Sequence, residues 1–262
     1  MSSIAEFGDI CERAARVGGQ ILRELHGRVI AREKGPADLV TEADVAAQRA
    51  IRDMLLGTFP DHGFLGEEGE SVSPGPAGFR WIVDPLDGTT NFCHGIPHYA
   101  VSIGLEQHGR LLVGVVYDPI ADECYRAGTG EGAYLNGAPL HVSSTIELSK
   151  AVVAVSFPPR VERSSPDVLR FLDILTVCRA TRRTGSAALN LCAVAAGRFD
   201  AFWSYATNPW DVAAGVLMVS EAGGVLTGPG GQEFNLEQAS FVAAATPPLH
   251  DELCQILGKI PG

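Results

Sequence analysis

With 262 residues and 46% hydrophobic side chains, the chain has enough apolar material for one compact unit or two fused layers. Its formal net charge of −11 argues against a nucleic-acid partner, because phosphate backbones are bound by an excess of Lys and Arg. No apolar run approaches the roughly 20 residues that span a bilayer. The polar, acidic N-terminus also lacks a signal peptide's basic flank and apolar segment, so a soluble, cytoplasmic protein with no membrane partner is expected.

In chain order, Ile4, Phe7, Ile10, Cys11, Ala14, Val17, Ile21, Leu22 and Leu25 fall at helical spacing and predict an opening helix over 4–26. Gly18-Gly19 weakens its middle in a way that suits close packing. Residues 32–38, rich in charge and turn formers, predict an exposed, mobile segment. A second helix starts at Thr41 and runs to about Leu56, with Thr41 as N-cap and Asp44 at the reciprocal capping position. Residues 64–69 read as a short strand ending in Glu67 and Glu68. Adjacent strand residues face opposite ways, so both acids should not face one site, and spacing does not choose between them. Residues 71–78 predict a loop.

Trp81-Ile82-Val83 suits a buried strand that stops at Asp84, since Pro85 cannot donate to a ladder. Asp84 and Asp87 follow, then Gly88 for a tight turn, then Thr89-Thr90-Asn91 with helix-capping side chains. Beyond Phe92 the pattern alternates over 98–106, 110–117, 123–126 and 132–135, an antiparallel meander. His94, His98 and His108 lie here in no metal-binding pattern and read as surface or core-rim residues.

From Ala151 helices and strands alternate. Strands are predicted over 151–157, 179–184, 197–205 and 240–245, and a helix over 165–177 with Ser165 capping and Pro166 first. Further helices run from Gly185-Ser186-Ala187-Ala188 to Ala196, over 210–222 up to Gly223-Gly224, and after Pro247-Pro248. The six cysteines form no C-x-x-C pair and predict reduced thiols. A meander half (1–145) and an α/β half (146–262) imply layered α+β packing with the site between them.

The carboxylates carry the chemistry. Oxygen ligands suit Mg²⁺ and helix N-termini suit phosphate, so Asp84 and Asp87 beside a helix start fit a metal-bound phosphate ester; a solvated polar turn is the plainer reading. Glu67, Asp84, Asp87 and Asp211 come from three separate places. Gathered together, they would raise one another's pKa until a divalent cation compensated, and oxygen-only ligands favour Mg²⁺ or Mn²⁺ over zinc. Asp211 also suits a purely structural role, as an acid at a helix start behind Pro209-Trp210.

The run from Trp81 to Phe92 resembles the signature of the inositol monophosphatase family, lithium-sensitive Mg²⁺-dependent phosphatases. Gly66-Glu67-Glu68 upstream and Trp210-Asp211-Val212-Ala213-Ala214-Gly215 downstream follow that family's order, so the resemblance covers nearly the whole chain. It implies an αβαβα sandwich, usually a homodimer, acting on a small phosphate ester. It assigns Glu67, Asp84 and the Leu86 carbonyl to one metal, Asp84, Asp87 and Asp211 to a second, and a third to waters near Glu67. The amides of Gly88 and Thr89 would bind phosphate, while Asp44 and Thr89 would orient the attacking water. The organic part of the substrate would lie against Gly185, Ser186, Ala187, Asp87, Asp211 and the strand at 201–205. One departure stands out: many relatives carry a glutamate seven residues before the Trp-Asp aspartate, where this chain has Ser204. That turns attention from inositol monophosphate toward other sugar or polyol phosphates, histidinol phosphate or fructose bisphosphate. Arg182 and Arg183 would reach substrate, stiffen a dimer interface or pair on the surface. A non-catalytic interaction protein retaining the fold is the rival from another class.

Overall fold

Helix α1 (Ile4–Leu25) is opened by Ser3, whose hydroxyl accepts from the Glu6 amide at 3.1 Å. Its glycine pair lets two elements approach: a Cβ at Gly18 would stand 2.7 Å from Ile51 Cδ1, and one at Gly19 2.5 Å from Tyr117 Cδ1. The computed structural model describes residues 3–28, 32–35, 38–69 and 71–260, with backbone alone over 32–35 and 38–40. The charged, turn-rich segment contributes two short antiparallel strands, β1 (Arg32–Gly35) and β2 (Asp38–Val40). The exposure and mobility expected there lie outside the described residues.

Helix α2 (Glu42–Thr58) begins with the expected capping box between Thr41 and Asp44. Strand β3 (Gly63–Gly66) ends one residue before the two acids, which occupy a turn, so strand alternation does not govern Glu67 and Glu68. The two-residue β4 (Ser71–Val72) interrupts the expected loop. Strand β5 (Phe79–Asp87) does not stop at Asp84. A register shift between Asp84 and Asp87 forms a bulge that leaves Pro85 unpaired, so its missing N–H costs the ladder nothing. The short helix α3 (Thr89–Cys93) follows. The meander continues through β6 (Ala100–Gln107), β7 (Arg110–Asp118), β8 (Glu123–Gly128), β9 (Gly132–Leu135) and β10 (Ala138–Pro139).

The second half contains β11 (Val152–Val155), α4 (Pro166–Val177), β12 (Ala180–Arg182), α5 (Ala187–Ala195), β13 (Ala201–Ser204), α6 (Pro209–Glu221), β14 (Val225–Thr227), β15 (Phe241–Ala244) and α7 (Pro247–Leu257). Ser165 holds the N-cap position of α4, but its hydroxyl accepts from the Glu162 amide rather than from the helix. All six cysteines are free thiols.

Besides the β1–β2 pair, two large sheets and three helix layers result. The eight-stranded sheet runs β10-β9-β8-β7-β6-β5-β3-β4, and the five-stranded sheet β12-β11-β13-β15-β14. In the second sheet β11 is parallel to β12 and β13, while β15 is antiparallel to β13 and β14. Strand alternation sorts the core into three clusters. Trp81, Val83, Val101, Ile103 and Val115 face α1 and α2. Ile82 and Val116 face α5 and α6, which Phe202 and Phe241 cover from the second sheet. Val153, Trp203 and Val242 point the other way, toward Ile174 of α4 and Leu249 and Leu253 of α7. The fold is the αβαβα form of an α+β sandwich.

The central helix α6 is buried along Val212–Val219, as a helix between two sheets must be. It lies close to the first sheet because both sides are small: a Cβ at Gly104 would stand 2.8 Å from Ala213 Cβ, and one at Gly114 2.8 Å from Ala214 Cα. Backbone cannot yield as a flexible side-chain tip can. Gly114→Ala should therefore destabilise the fold by about 1–3 kcal/mol through overpacking, read as a lower urea midpoint at unchanged slope. An unchanged midpoint would show that α6 can lift off the sheet at no cost.

Candidate active site

The bulge at the end of β5 sets the site. Asp84 and Asp87 are 2% and 8% exposed, which is rare for acids without compensation. Asp84 Oδ1 accepts from the Leu86 amide at 2.9 Å. Gly88 then takes φ +100°, a left-handed turn that only glycine adopts readily, and a Cβ there would also crowd the His98 carbonyl at 3.1 Å. Gly88 is itself the N-cap of α3, without a side-chain cap, so Thr89 and Asn91 do not serve as caps. The Thr89 hydroxyl reaches the Leu86 carbonyl at 3.1 Å and Asp44 Oδ1 at 3.3 Å. Asp44, fully buried, holds its other oxygen on the Thr41 amide at 2.8 Å and hydroxyl at 2.5 Å. One aspartate thus both caps α2 and reaches Thr89. Asn91 spans the halves of the chain, donating to the His98 carbonyl at 2.7 Å and the Thr184 carbonyl at 2.9 Å.

Asp87 is gripped by the start of α5. Its Oδ2 accepts from the Ser186 hydroxyl and, at 2.8 Å, from the Ala188 amide, while Oδ1 accepts from the Ala187 amide at 3.2 Å. Asp211, in the first turn of α6, accepts from the Asn208 amide at 2.8 Å. Glu67 is half-buried in its turn, with its amide donating to the Val83 carbonyl at 3.1 Å.

These acids feel one another. Burial, followed by the negative fields of Glu67, Asp87 and Asp211, holds the Asp84 carboxyl well above the usual range. Burial pushes Asp87 up to about 6, against the pull of the Ser186, Ala188 and Ala187 donors. Burial also pushes Asp211 to about 8, opposed by the Asn208 amide and reinforced by Asp87 and Glu67. The four face one another without closing into a finished cage; among the described residues no three His, Cys, Asp or Glu side chains already stand as a metal site. An all-oxygen donor set with unrelieved repulsion fits a hard divalent cation. His94 and His108 are exposed, and His98 carries a buried Nε2 without a partner among the described residues.

A cleft of about 530 Å³ opens here, with Asp87 and Asp211 in its wall. Much of the rest comes from the carboxyl ends of three parallel strands: Ser156 and Phe157 after β11, Arg183 to Gly185 after β12, and Ala206 to Asn208 after β13. Ligands gather at such ends in α/β sheets, where loops and helix starts converge. Hollows of about 700 and 720 Å³ lie elsewhere, along α2 and between α1 and the β8–β9 hairpin, and hold none of the four acids.

The expected substrate contacts are redistributed. Gly185 and Ala187 line the cleft; Ser186, 1% exposed, does not. Its hydroxyl instead caps α5, accepting from the Leu189 amide at 3.2 Å, and anchors Asp87. Ser204 is fully buried, with its hydroxyl accepting from the Ala206 amide at 3.4 Å, so it forms no part of the wall. Thr207 and Asn208 stand there in its place. The turn chemistry just before Pro209-Trp210-Asp211 was the available signal for them. Asp44, Glu67, Asp84, Leu86, Gly88 and Thr89 lie outside the cleft wall.

Raised carboxyl pKa values have a thermodynamic consequence. The native state keeps protons that the unfolded chain releases near pH 4, so metal-free stability is lost as pH rises through about 6 for Asp87 and about 8 for Asp211. In chelator, the melting temperature should fall between about pH 5 and 8.5. Added Mg²⁺ should restore more of it at the upper end, and Asp84→Asn should flatten both trends. A pH-independent melting temperature in chelator would mean that the acids do not interact.

Comparison with known proteins agrees with this geometry. The model of the inositol monophosphatase family matches residues 4–261. Inositol monophosphatase 2 of Solanum lycopersicum is 44% identical, over 97% of this chain and 98% of that protein. A protein named Nus factor SuhB, from Pseudomonas aeruginosa, is 40% identical over 91% of each. The structure of inositol monophosphatase from Anabaena (Nostoc) sp. PCC 7120 superposes with a TM-score of 0.89 at 35% identity, covering 99% of this chain and 98% of that one. By fold and by sequence, this chain belongs to the inositol monophosphatase family.

Proposed function

We propose that the protein hydrolyses small phosphate monoesters, inositol monophosphate or related sugar and polyol phosphates, with two to three Mg²⁺ ions for which Mn²⁺ can substitute. The observation that carries this reading is the mutual field among Glu67, Asp84, Asp87 and Asp211, which a hard cation would relieve. Glu67, Asp84 and the Leu86 carbonyl would hold one ion, and Asp84, Asp87 and Asp211 another. Bound there, the metal supplies Lewis-acid polarisation of the phosphate and lowers the pKa of a water.

The remaining roles belong to the chain. The single Thr89 proton is shared between the Leu86 carbonyl and Asp44; with the Leu86 carbonyl engaged by a cation it would go to Asp44, and the hydroxyl oxygen would accept from the attacking water. Asp44 is held still for this by Thr41. The Gly88 and Thr89 amides receive phosphate oxygens at the start of α3. Ser186 fixes the rotamer of Asp87 from behind, while Gly185, Ala187, Thr207 and Asn208 face the organic part. Residues 1–145 and 146–262 are the halves that meet at the cleft. We place the protein in the cytoplasm; among the described residues no helix is long and apolar enough to cross a membrane. A homodimer belongs to the same proposal, supported by Leu169, Leu172 and Leu175 exposed along α4.

A second reading, an interaction role on the same fold, is favoured by the relative named Nus factor SuhB. Phosphate release separates the two. Inositol 1-phosphate, glycerol 2-phosphate, histidinol phosphate and fructose 1,6-bisphosphate, assayed with Mg²⁺, should include substrates whose turnover stops in excess chelator. Asp84→Asn should lower kcat by about a hundredfold or more, as for loss of one charge-organising group. Full turnover in chelator would overturn the metal mechanism, and no turnover of any ester would favour the interaction role.

The Asp44–Thr89 pair makes a separate prediction. If the two act as one unit, Asp44→Asn, Thr89→Ala and the double variant should lose similar amounts of kcat. Additive losses that track the melting temperature would reduce Asp44 to a helix cap.

A further inference from the structure

The cleft has a basic side chain as well as an acidic pair. Arg183 is exposed in its wall, where the chain leaves β12, and its guanidinium carbon lies 5.5 Å from the ring centre of Phe157, which lines the same wall after β11. Other arginines are neutralised: Arg80 by Glu106 and Glu237, Arg126 by Asp9, Arg170 by Asp167, and Arg198 by Glu123. Among the described residues Arg183 forms no ion pair, although the chain carries a net charge of −11. Its neighbour Arg182, also exposed, spends one N–H on the Thr181 carbonyl and is likewise without a carboxylate.

A cation–π contact with Phe157 steadies the guanidinium plane and leaves its N–H donors free, an arrangement suited to bidentate capture of phosphate or carboxylate. The scissile phosphate does not need this group, because the carboxylates and their cation serve it. What Arg183 can select is charge elsewhere on the substrate. We infer that Arg183 forms a second anion subsite, so that the preferred esters carry a further phosphate or a carboxylate on their organic part. This rests on the phosphatase reading above and names its substrate class.

Matched substrates test it. Fructose 1-phosphate and fructose 1,6-bisphosphate differ by the second phosphate; glycerol 2-phosphate and 2-phosphoglycerate differ by a carboxylate in place of a hydroxymethyl group. The wild-type protein should favour the doubly anionic member of at least one pair by about tenfold in kcat/KM, the low end for one charged hydrogen bond. The pair that shows the preference identifies the anion. Arg183→Gln should bring that ratio near unity, Arg183→Glu should invert it, and Arg183→Lys should keep part of it. Because the group is exposed, the ratio should also shrink toward about 0.5 M salt. Ratios near unity in the wild type, or an equal loss on both members in Arg183→Gln, would overturn the subsite while leaving the phosphatase intact. Phosphate release from inositol 1-phosphate but from none of the four would overturn the subsite alone, and release from none of the five would overturn the phosphatase reading and the subsite together.

Discussion

The carboxylate of Asp87 joins the two halves of the molecule. It is the last residue of β5 in the first sheet, yet it is held by the Ser186 hydroxyl and the Ala187 and Ala188 amides, about a hundred positions later at the start of α5. Four residues on, Asn91 reaches the Thr184 carbonyl and braces the same turn. The turn has no slack: Gly185 sits at φ +91°, and a Cβ there would meet Asn91 Nδ2 at 2.9 Å. Positions of the cleft wall after β12 therefore depend on side chains from the β5–α3 corner. A lesion at either end disturbs both the acid pair and the cleft wall after β12.

The Trp210–Gly215 motif shows how packing and chemistry share residues. Asp211 belongs to the acid cluster, but Ala213, Ala214 and Gly215 are small for mechanical reasons. The first two lie against Gly104 and Gly114, and a Cβ at Gly215 would stand 2.6 Å from Leu191 of α5. With Ser102 Oγ donating to the Trp210 carbonyl at 3.3 Å, they set the height of α6 above the sheet and so the position of Asp211 relative to Asp84. Enlarging any of them moves a carboxylate as well as straining a core.

Much of this was legible in the residues, for reasons that also explain what was not. Strands β6 and β7 and helix α1 announce themselves because alternation and helical spacing are local signals, while α6, buried without a polar face, shows itself by its end signals at Pro209 and Gly223-Gly224. Pro85 misled because tolerance of a proline depends on a bulge against β6, a property of pairing rather than of the chain alone. The short β10 and β14 carry too few residues to show a period. Thr89 and Asn91 look like caps locally, but their partners Asp44 and Thr184 lie 45 and 93 positions away. Ser204 shows the same limit. Its place in the sequence suggested a substrate contact, while the strand pairing of β13 with β11 and β15 buries it and passes the cleft wall to Thr207 and Asn208. The types of the four acids were plain, but their convergence rested on the order of three motifs rather than on spacing.

Gathering those acids works against folding, and the chain offsets part of that cost in a consistent way. Asp44 sits in the first turn of α2, Asp87 against the first turn of α5 and Asp211 in the first turn of α6, each accepting backbone N–H groups at or beside a positive helix end. Three helices thus hold three aspartates rigid without neutralising them. Asp84 differs: it lies in the bulged strand, takes the Leu86 amide, and has Glu67, Asp87 and Asp211 all raising its pKa. A bound cation would relieve that carboxylate most, and binding there would be paid for largely by repulsion already built into the fold. Ionic attraction and preorganisation would then act in the same direction, because the helix starts hold Asp87 and Asp211 in place while Asp84 shares a proton-mediated contact only with Glu67.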